Sequence, residues 1–77
     1  MDIINRLKGI FSDVLKINDN IENITVMNYD NWDSLAHISL IAALEEEFEL
    51  NIPPEDIIEI YMDFDSVLNY IIDRRSK

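Results

Sequence analysis

Two stretches of the chain carry apolar residues at helical spacing, and this periodicity constrains the fold more than any other feature. Between residues 2 and 16, large apolar side chains recur every three or four positions, which places them on one face of an α-helix. Asp2 stands where a helix cap is expected. A second stretch, from Asp33 or Ser34 to about Glu49, lacks Gly and Pro and is rich in good helix formers. Its expected core stripe consists of Leu40, Ile41, Leu44 and Phe48.

A long polar segment separates these two predicted helices. Residues 18–32 contain five Asn and keep no apolar period, so we expect a long loop. The apolar side chains expected to anchor this loop to the core are Ile21, Ile24, Val26 and Met27.

Prolines end the second helix and begin a third. Pro53 and Pro54 interrupt the helical pattern, and Pro54 suits the first position of a short helix. A final helix is expected from Asp65 or Ser66, and Arg74 and Arg75 in its last turn match the negative end of the helix dipole. The short helix is expected to carry Ile57, Ile58, Ile60 and Tyr61.

The predicted fold is therefore all-α: a four-helix bundle with three longer helices, one short helix and a long first loop. No β-hairpin signal and no internal repeat is present in the sequence. At 77 residues, the chain is expected to form one domain over residues 1–77.

Charge is distributed unevenly along the chain. Sixteen acidic residues face six basic ones, for a net charge of −10. No Lys or Arg lies between Ile17 and Asp73, a stretch that holds fourteen of the acids. Such a surface either serves only to keep a protein soluble or is built to meet basic partners.

These features exclude several classes of function. Nucleic-acid binding through phosphates needs an excess of Lys and Arg, and this chain has a net charge of −10. No apolar run approaches the roughly 20 residues of a membrane helix, so we expect no membrane insertion. The first residues lack the basic region of a signal peptide. Without cysteine, the chain has no disulfide and no thiol nucleophile. We expect a monomer located in the cytoplasm.

The sequence does not fit two common kinds of site, a hydrolytic triad and a calcium-binding loop. Ser34 and His37 could touch on one helix, but Asp33 lies beside Ser34 and not behind the imidazole, as a hydrolytic triad requires. His37 is expected to be a solvated helix residue. An EF-hand loop beginning at Asp30 or at Asp63 would need Gly at its sixth position, where this chain has Leu. We therefore predict neither catalytic residues nor metal ligands.

The position of Ser34 is the remaining candidate for chemistry. Its hydroxyl is expected at the first turn of a helix, where unpaired backbone N–H groups favour an anion such as a phosphate ester. The alternative from position alone is that Ser34 or Asp33 only caps the helix.

Several motifs together resemble the acyl carrier protein family. They are Asp33-Ser34-Leu35, the stretch Ala43-Leu44-Glu45-Glu46-Glu47-Phe48, the break at Ile52-Pro53, and Asp65-Ser66-Val67 with Tyr70-Ile71. The likeness covers essentially the whole chain.

The resemblance implies a carrier and not an enzyme. A phosphopantetheinyl transferase would attach 4′-phosphopantetheine to Ser34, and acyl groups would be carried as thioesters on the thiol of this arm. Asp33 and Leu35 would flank the attachment site. The members of the family that act in fatty-acid synthesis carry other residue types at the positions of Trp32 and His37. A fatty-acid, polyketide or other specialised pathway is implied.

The resemblance also implies a docking surface for acyl-loading and acyl-processing enzymes. Leu35 and Ile38 would form its apolar part, and the acids would meet basic docking patches on these enzymes. Leu40, Leu44, Ile57 and Ile60 would line any acyl cavity, or be ordinary core. The acidic positions implied are Glu45, Glu46, Glu49, Asp56 and Glu59.

A second function of another class stays open. The chain could be an acidic adaptor that binds a basic protein without a prosthetic group. The Ser34 hydroxyl separates the two hypotheses, because a carrier needs it and an adaptor does not.

Overall fold

The computed structural model of the chain describes residues 3–75 and is all-helical. The three longer helices are α1 (Ile3–Leu15), α2 (Ser34–Phe48) and α4 (Phe64–Arg75), and the short one is α3 (Pro54–Glu59). The predicted fold class is confirmed. None of the helices in the described part is both long and apolar enough to span a membrane. The predicted Asp2 cap lies outside the described residues.

Helix α1 packs antiparallel against α2. Arg6, near the start of α1, pairs with Glu47 near the end of α2, with Arg6 Nε 2.8 Å from Glu47 Oε2. Leu7, Phe11 and Leu15 form the buried face of α1. The chain leaves this helix at Lys16, which adopts a left-handed backbone with φ of 59°.

The core lies where α1, α2 and α4 meet. The fully buried ring of Phe11 makes edge-to-face contacts to Phe64 at 5.0 Å and to Trp32 at 5.3 Å between ring centroids. The predicted stripe on α2 is confirmed, because all four of its residues are buried. The buried apolar residues of the other elements are Ile24, Ile52, Ile60, Val67 and Ile71.

The long loop differs in part from its prediction. It contains a short 3₁₀ helix, Ile21–Asn23. Ile24 is buried as predicted, but Met27 is 89% exposed and anchors nothing. The prediction for Met27 is wrong because its backbone turns there: Met27 and Asn28 both donate N–H groups to the Thr25 hydroxyl. The anchor that the prediction missed is Trp32, which is 1% exposed.

The long loop is tied to the segment between α3 and α4. Val26 donates its N–H to the Met62 carbonyl at 2.8 Å, and Phe64 donates to the Ile24 carbonyl at 3.1 Å. These bonds flank an isolated antiparallel bridge between Thr25 and Asp63. These contacts fix the loop that leads to Ser34 against the segment between α3 and α4.

Two helix boundaries differ from the prediction. Helix α3 ends at Glu59, with Ile60 as its cap and Tyr61 beyond it. Helix α4 begins at Phe64 because the Asp63 carboxylate accepts the Ser66 N–H at 2.8 Å and caps the helix. Pro54 occupies the first turn of α3, as predicted.

Candidate functional site

Ser34 is the first residue of α2, and its side chain is exposed. The helix cap is the preceding residue, Asp33, whose carboxylate Oδ1 accepts the backbone N–H of Ala36 at 2.9 Å. Within residues 3–75, the Ser34 hydroxyl makes no hydrogen bond. Asp33 therefore performs the capping, and the Ser34 oxygen is left open to solvent.

The start of α2 suits an anion attached to Ser34. The first N–H groups of an α-helix have no partner within the helix and carry the positive end of its dipole. Asp33 accepts the N–H of Ala36, and the earlier N–H groups of the first turn remain available to an anion. A phosphate ester on Ser34 would lie next to these amides, where backbone N–H groups bind phosphate in many proteins.

His37, one turn after Ser34, lies in the protein interior. It is 3% exposed, so the prediction of a solvated His37 is wrong. The reason is its register: His37 precedes Leu40, Ile41 and Leu44 on the buried face of α2. Its ring stacks on Tyr61, with centroids 4.5 Å apart.

Both ring nitrogens of His37 are occupied. Trp32 donates its indole N–H to His37 Nδ1 at 3.1 Å. Nε2 lies 2.8 Å from the Ile57 carbonyl oxygen. Because Nδ1 must accept, the neutral ring carries its proton on Nε2 and donates it to Ile57. Neither nitrogen is left to accept a proton from Ser34, so His37 cannot act as the general base of a hydrolase.

Burial lowers the pKa of His37 from its ordinary value of 6.5, and the hydrogen bond to the Ile57 carbonyl opposes this only in part. The neutral ring is therefore the resting form near pH 7.

The two predicted apolar docking residues project from α2. Leu35 is 80% exposed and Ile38 is 57% exposed, and their spacing of three places them on one side of the helix. Ile58 on α3 and Met62 beyond it are also exposed. Neither residue is predicted for docking from the sequence: Ile58 lies in a short Ile-rich stretch typical of core, and Met62 lies in no predicted helix. The contact of His37 with the Ile57 carbonyl joins the first turns of α2 to α3, the helix that carries Ile58.

The predicted acidic residues divide into two groups. Glu46, Glu49 and Glu59 are exposed. Glu45 and Asp56 are half-buried. The Glu45 carboxylate accepts the Ile52 N–H at 2.9 Å.

Asp56 turns towards α4. It accepts the Tyr70 hydroxyl at 2.7 Å and lies 4.0 Å from Arg74 Nη2. Burial and this carboxylate together raise the pKa of Tyr70 to about 12. Asp56 thus joins α3 to α4.

The residues predicted to line an acyl cavity or to be ordinary core lie in the interior. Leu40, Leu44 and Ile60 are buried and Ile57 is half-buried, all against the core. Within the described residues, no cluster of three or more His, Cys, Asp or Glu side chains is arranged to hold a metal ion.

Comparisons with known proteins point to one family. The family model described as the phosphopantetheine attachment site matches residues 5–71. Acyl carrier proteins from three strains of Clostridium perfringens (SM101, ATCC 13124 and 13) are each 36% identical to the chain over 74 residues. The matched region covers 94% of this chain and 96% of each relative.

Proposed function

This chain belongs to the acyl carrier protein family, and we propose that Ser34 is the residue to which its 4′-phosphopantetheine arm is attached. Proteins of this family carry acyl groups on that covalent arm and are carriers, not catalysts. The arm supplies a thiol, which this cysteine-free chain does not have. We further propose that residues 1–77 form a single carrier domain.

The observation that supports Ser34 most directly is its freedom at the helix start. The hydroxyl is exposed and Asp33 performs the capping, so the oxygen can reach a transferase active site without breaking a native contact. In the transfer step, the Ser34 oxygen bonds to the phosphorus that carries pantetheine in coenzyme A. The pyrophosphate bond breaks, the nucleotide leaves with the bridging oxygen, and the serine proton passes to a base of the transferase.

The resulting phosphodiester would meet a favourable site. Its negative charge lies at the positive end of the α2 dipole and near unpaired amides, an arrangement typically worth about 0.3–1 kcal/mol at exposed positions. The fixed loop beneath it keeps the base of the arm in one place, while the arm itself extends into solvent.

The function is tested by measuring the intact mass of the purified chain. We expect a gain of one phosphopantetheine after incubation with coenzyme A, Mg²⁺ and a broad-specificity phosphopantetheinyl transferase. A folded chain that gains nothing with several transferases would contradict the proposal and favour an acidic adaptor.

The proposed docking surface consists of Leu35 and Ile38 together with Glu46, Glu49 and Glu59. All five are exposed. Leu35, Ile38 and Glu46 lie on α2, Glu59 lies on α3, and Glu49 caps the C-terminal end of α2. An apolar centre with an acidic rim fits a partner enzyme that presents an apolar depression among Lys and Arg. Glu45 and Asp56 have internal partners, so we assign them a smaller part in docking.

Charge reversal at this surface should slow modification. We expect the double variant Glu46→Lys with Glu59→Lys to lower the transferase kcat/KM about tenfold, because each change removes an attraction and adds a repulsion of up to about 1 kcal/mol. The measurement is the rate of phosphopantetheine transfer at low and at high salt. The loss should shrink at high salt, where charges are screened.

A matched control is Asp13→Lys with Asp19→Lys, which changes the net charge equally at exposed acids outside α2 and α3. It should retain most of the wild-type rate. Equal losses in both double variants would show that only net charge matters and would contradict a defined docking surface.

A further inference from the structure

Trp32 is the residue that fixes the chain immediately before the Asp33 cap and Ser34. Its backbone N–H donates to the Tyr29 carbonyl at 3.1 Å. Its carbonyl accepts the Tyr61 hydroxyl at 3.2 Å. Its indole N–H donates to His37 Nδ1 at 3.1 Å. Three separate contacts therefore determine where the polypeptide enters α2.

His37 is the contact in this network that can change with a proton. The ring connects three elements: its own helix α2, Trp32 in the long loop, and Ile57 in α3. Protonation places hydrogens on both nitrogens. Two donors then face each other at the Trp32 contact, so that bond is lost. The Ile57 contact is kept, because Nε2 donates in both forms and a charged donor makes a stronger bond.

We propose that His37 is the positioning residue for Ser34: its neutral ring holds Trp32 in place, and protonation of Nδ1 releases Trp32 while the bond to Ile57 persists. The base of the carrier arm would then be ordered above the transition and loosened below it. This inference rests on the proposed function of Ser34 for its consequence, but the conformational step can be measured without it.

The other ionisable groups on the elements around His37 either have hydrogen-bond partners of their own or lie at the surface. Tyr61 stacks on the ring and donates its hydroxyl to Trp32. The Asp33 and Asp63 carboxylates accept N–H groups at the starts of α2 and α4, and Asp56 binds Tyr70. Glu59 on α3 is exposed. From α1, the residue that packs on Trp32 is the uncharged Phe11.

The direction of the pH effect follows from burial. The folded chain holds the proton on His37 less tightly than the unfolded chain does, because burial lowers the ring pKa from 6.5. The contribution of neutral His37 is thus fully present above pH 6.5 and is lost as the pH falls through the lowered pKa. His37 is the only histidine in the sequence. A transition between about pH 8 and pH 5 that is lost in His37→Asn therefore reports on this ring.

The experiment uses the fluorescence of Trp32, the only tryptophan in the chain. We expect its emission to shift reversibly to longer wavelength on acidification, with a midpoint below 6.5. Ser34→Ala should give the same curve, so a failure of Ser34 modification leaves this test intact. His37→Asn, which keeps an acceptor near Nδ1 but cannot titrate, should give constant emission over the same range.

Two fluorescence results would overturn the proposal. One is constant emission from the wild-type chain between about pH 8 and pH 5. The other is a red shift in folded His37→Asn that equals that of the wild type. If His37→Asn does not fold, ¹⁵N NMR of the wild-type imidazole decides: the proposal requires Nδ1 without a proton near neutral pH, and a proton found on Nδ1 would exclude it.

A kinetic readout separates positioning from simple structural support. At acidic pH, transfer of phosphopantetheine to the wild-type chain should slow several-fold relative to His37→Asn under the same conditions, whereas near pH 7.5 the two should be similar. A constant ratio across the range would mean that the proton on His37 does not affect Ser34.

Discussion

Replacing Ser34 by alanine is expected to abolish phosphopantetheine transfer completely while leaving the fold unchanged. The change removes the oxygen that we propose as the attachment atom. It removes no hydrogen bond within the described residues, because Asp33 and not Ser34 caps α2. An exposed substitution without internal contacts changes stability by about 0.5 kcal/mol or less. Intact mass after treatment with transferase and coenzyme A measures the loss, and circular dichroism checks the fold.

The matched control for this change is Ser39→Ala. Ser39 is a second exposed serine on α2, so its loss should leave the mass gain intact. If Ser34→Ala still gained one phosphopantetheine, the attachment site would lie elsewhere. A loss of modification in both variants would show that transfer depends on the surface of α2 in general and would weaken the assignment of Ser34.

The helices were predictable because their signals are local. Apolar spacing predicted α1 and α2 within one or two residues, and the proline at Pro54 predicted the start of α3. The start of α4 was placed too late because Asp63, Asp65 and Ser66 are all acceptable caps by residue type. In the fold Asp63 is the cap, because its carboxylate accepts the Ser66 N–H, and residue type alone does not select it.

The buried network beside Ser34 was not predicted, for a physical reason. His37 follows the same register as Leu40 and Leu44, so its position on the helix already indicated the interior. Residue type argued the other way, because an imidazole is buried without penalty only when both nitrogens find partners. Those partners, Trp32 and Ile57, lie in the loop and in α3. Only the assembled fold supplies them.

The acidic surface was predictable in composition but not in detail. From the sequence, Glu45 and Asp56 are equivalent to Glu46 and Glu59. In the fold, Glu45 binds a backbone amide after α2 and Asp56 binds Tyr70. Whether a carboxylate faces a partner or the protein itself depends on contacts with residues seven and fourteen positions away.

Replacing Trp32 by alanine is expected to leave the chain largely unfolded. Trp32 is 1% exposed and packs edge-to-face with Phe11. Removing such a side chain costs about 3–5 kcal/mol through lost burial and the cavity left behind. The change also leaves His37 Nδ1 buried without a donor, which adds about 1–3 kcal/mol. A chain of this size has only about 3–5 kcal/mol of folding free energy. Urea denaturation followed by far-UV circular dichroism measures the loss.

Two substitutions divide this cost into its parts. Trp32→Phe keeps an aromatic ring but removes the indole N–H, so we expect a folded chain weakened by about 1–3 kcal/mol, the penalty for the unpaired His37 nitrogen. Met27→Ala, at an 89% exposed position of the same loop, should change stability by about 0.5 kcal/mol or less. If Trp32→Ala were as stable as Met27→Ala, Trp32 could not be the anchor that holds the loop against α1 and α2. The positioning of Ser34 through His37 would then lose its structural basis as well.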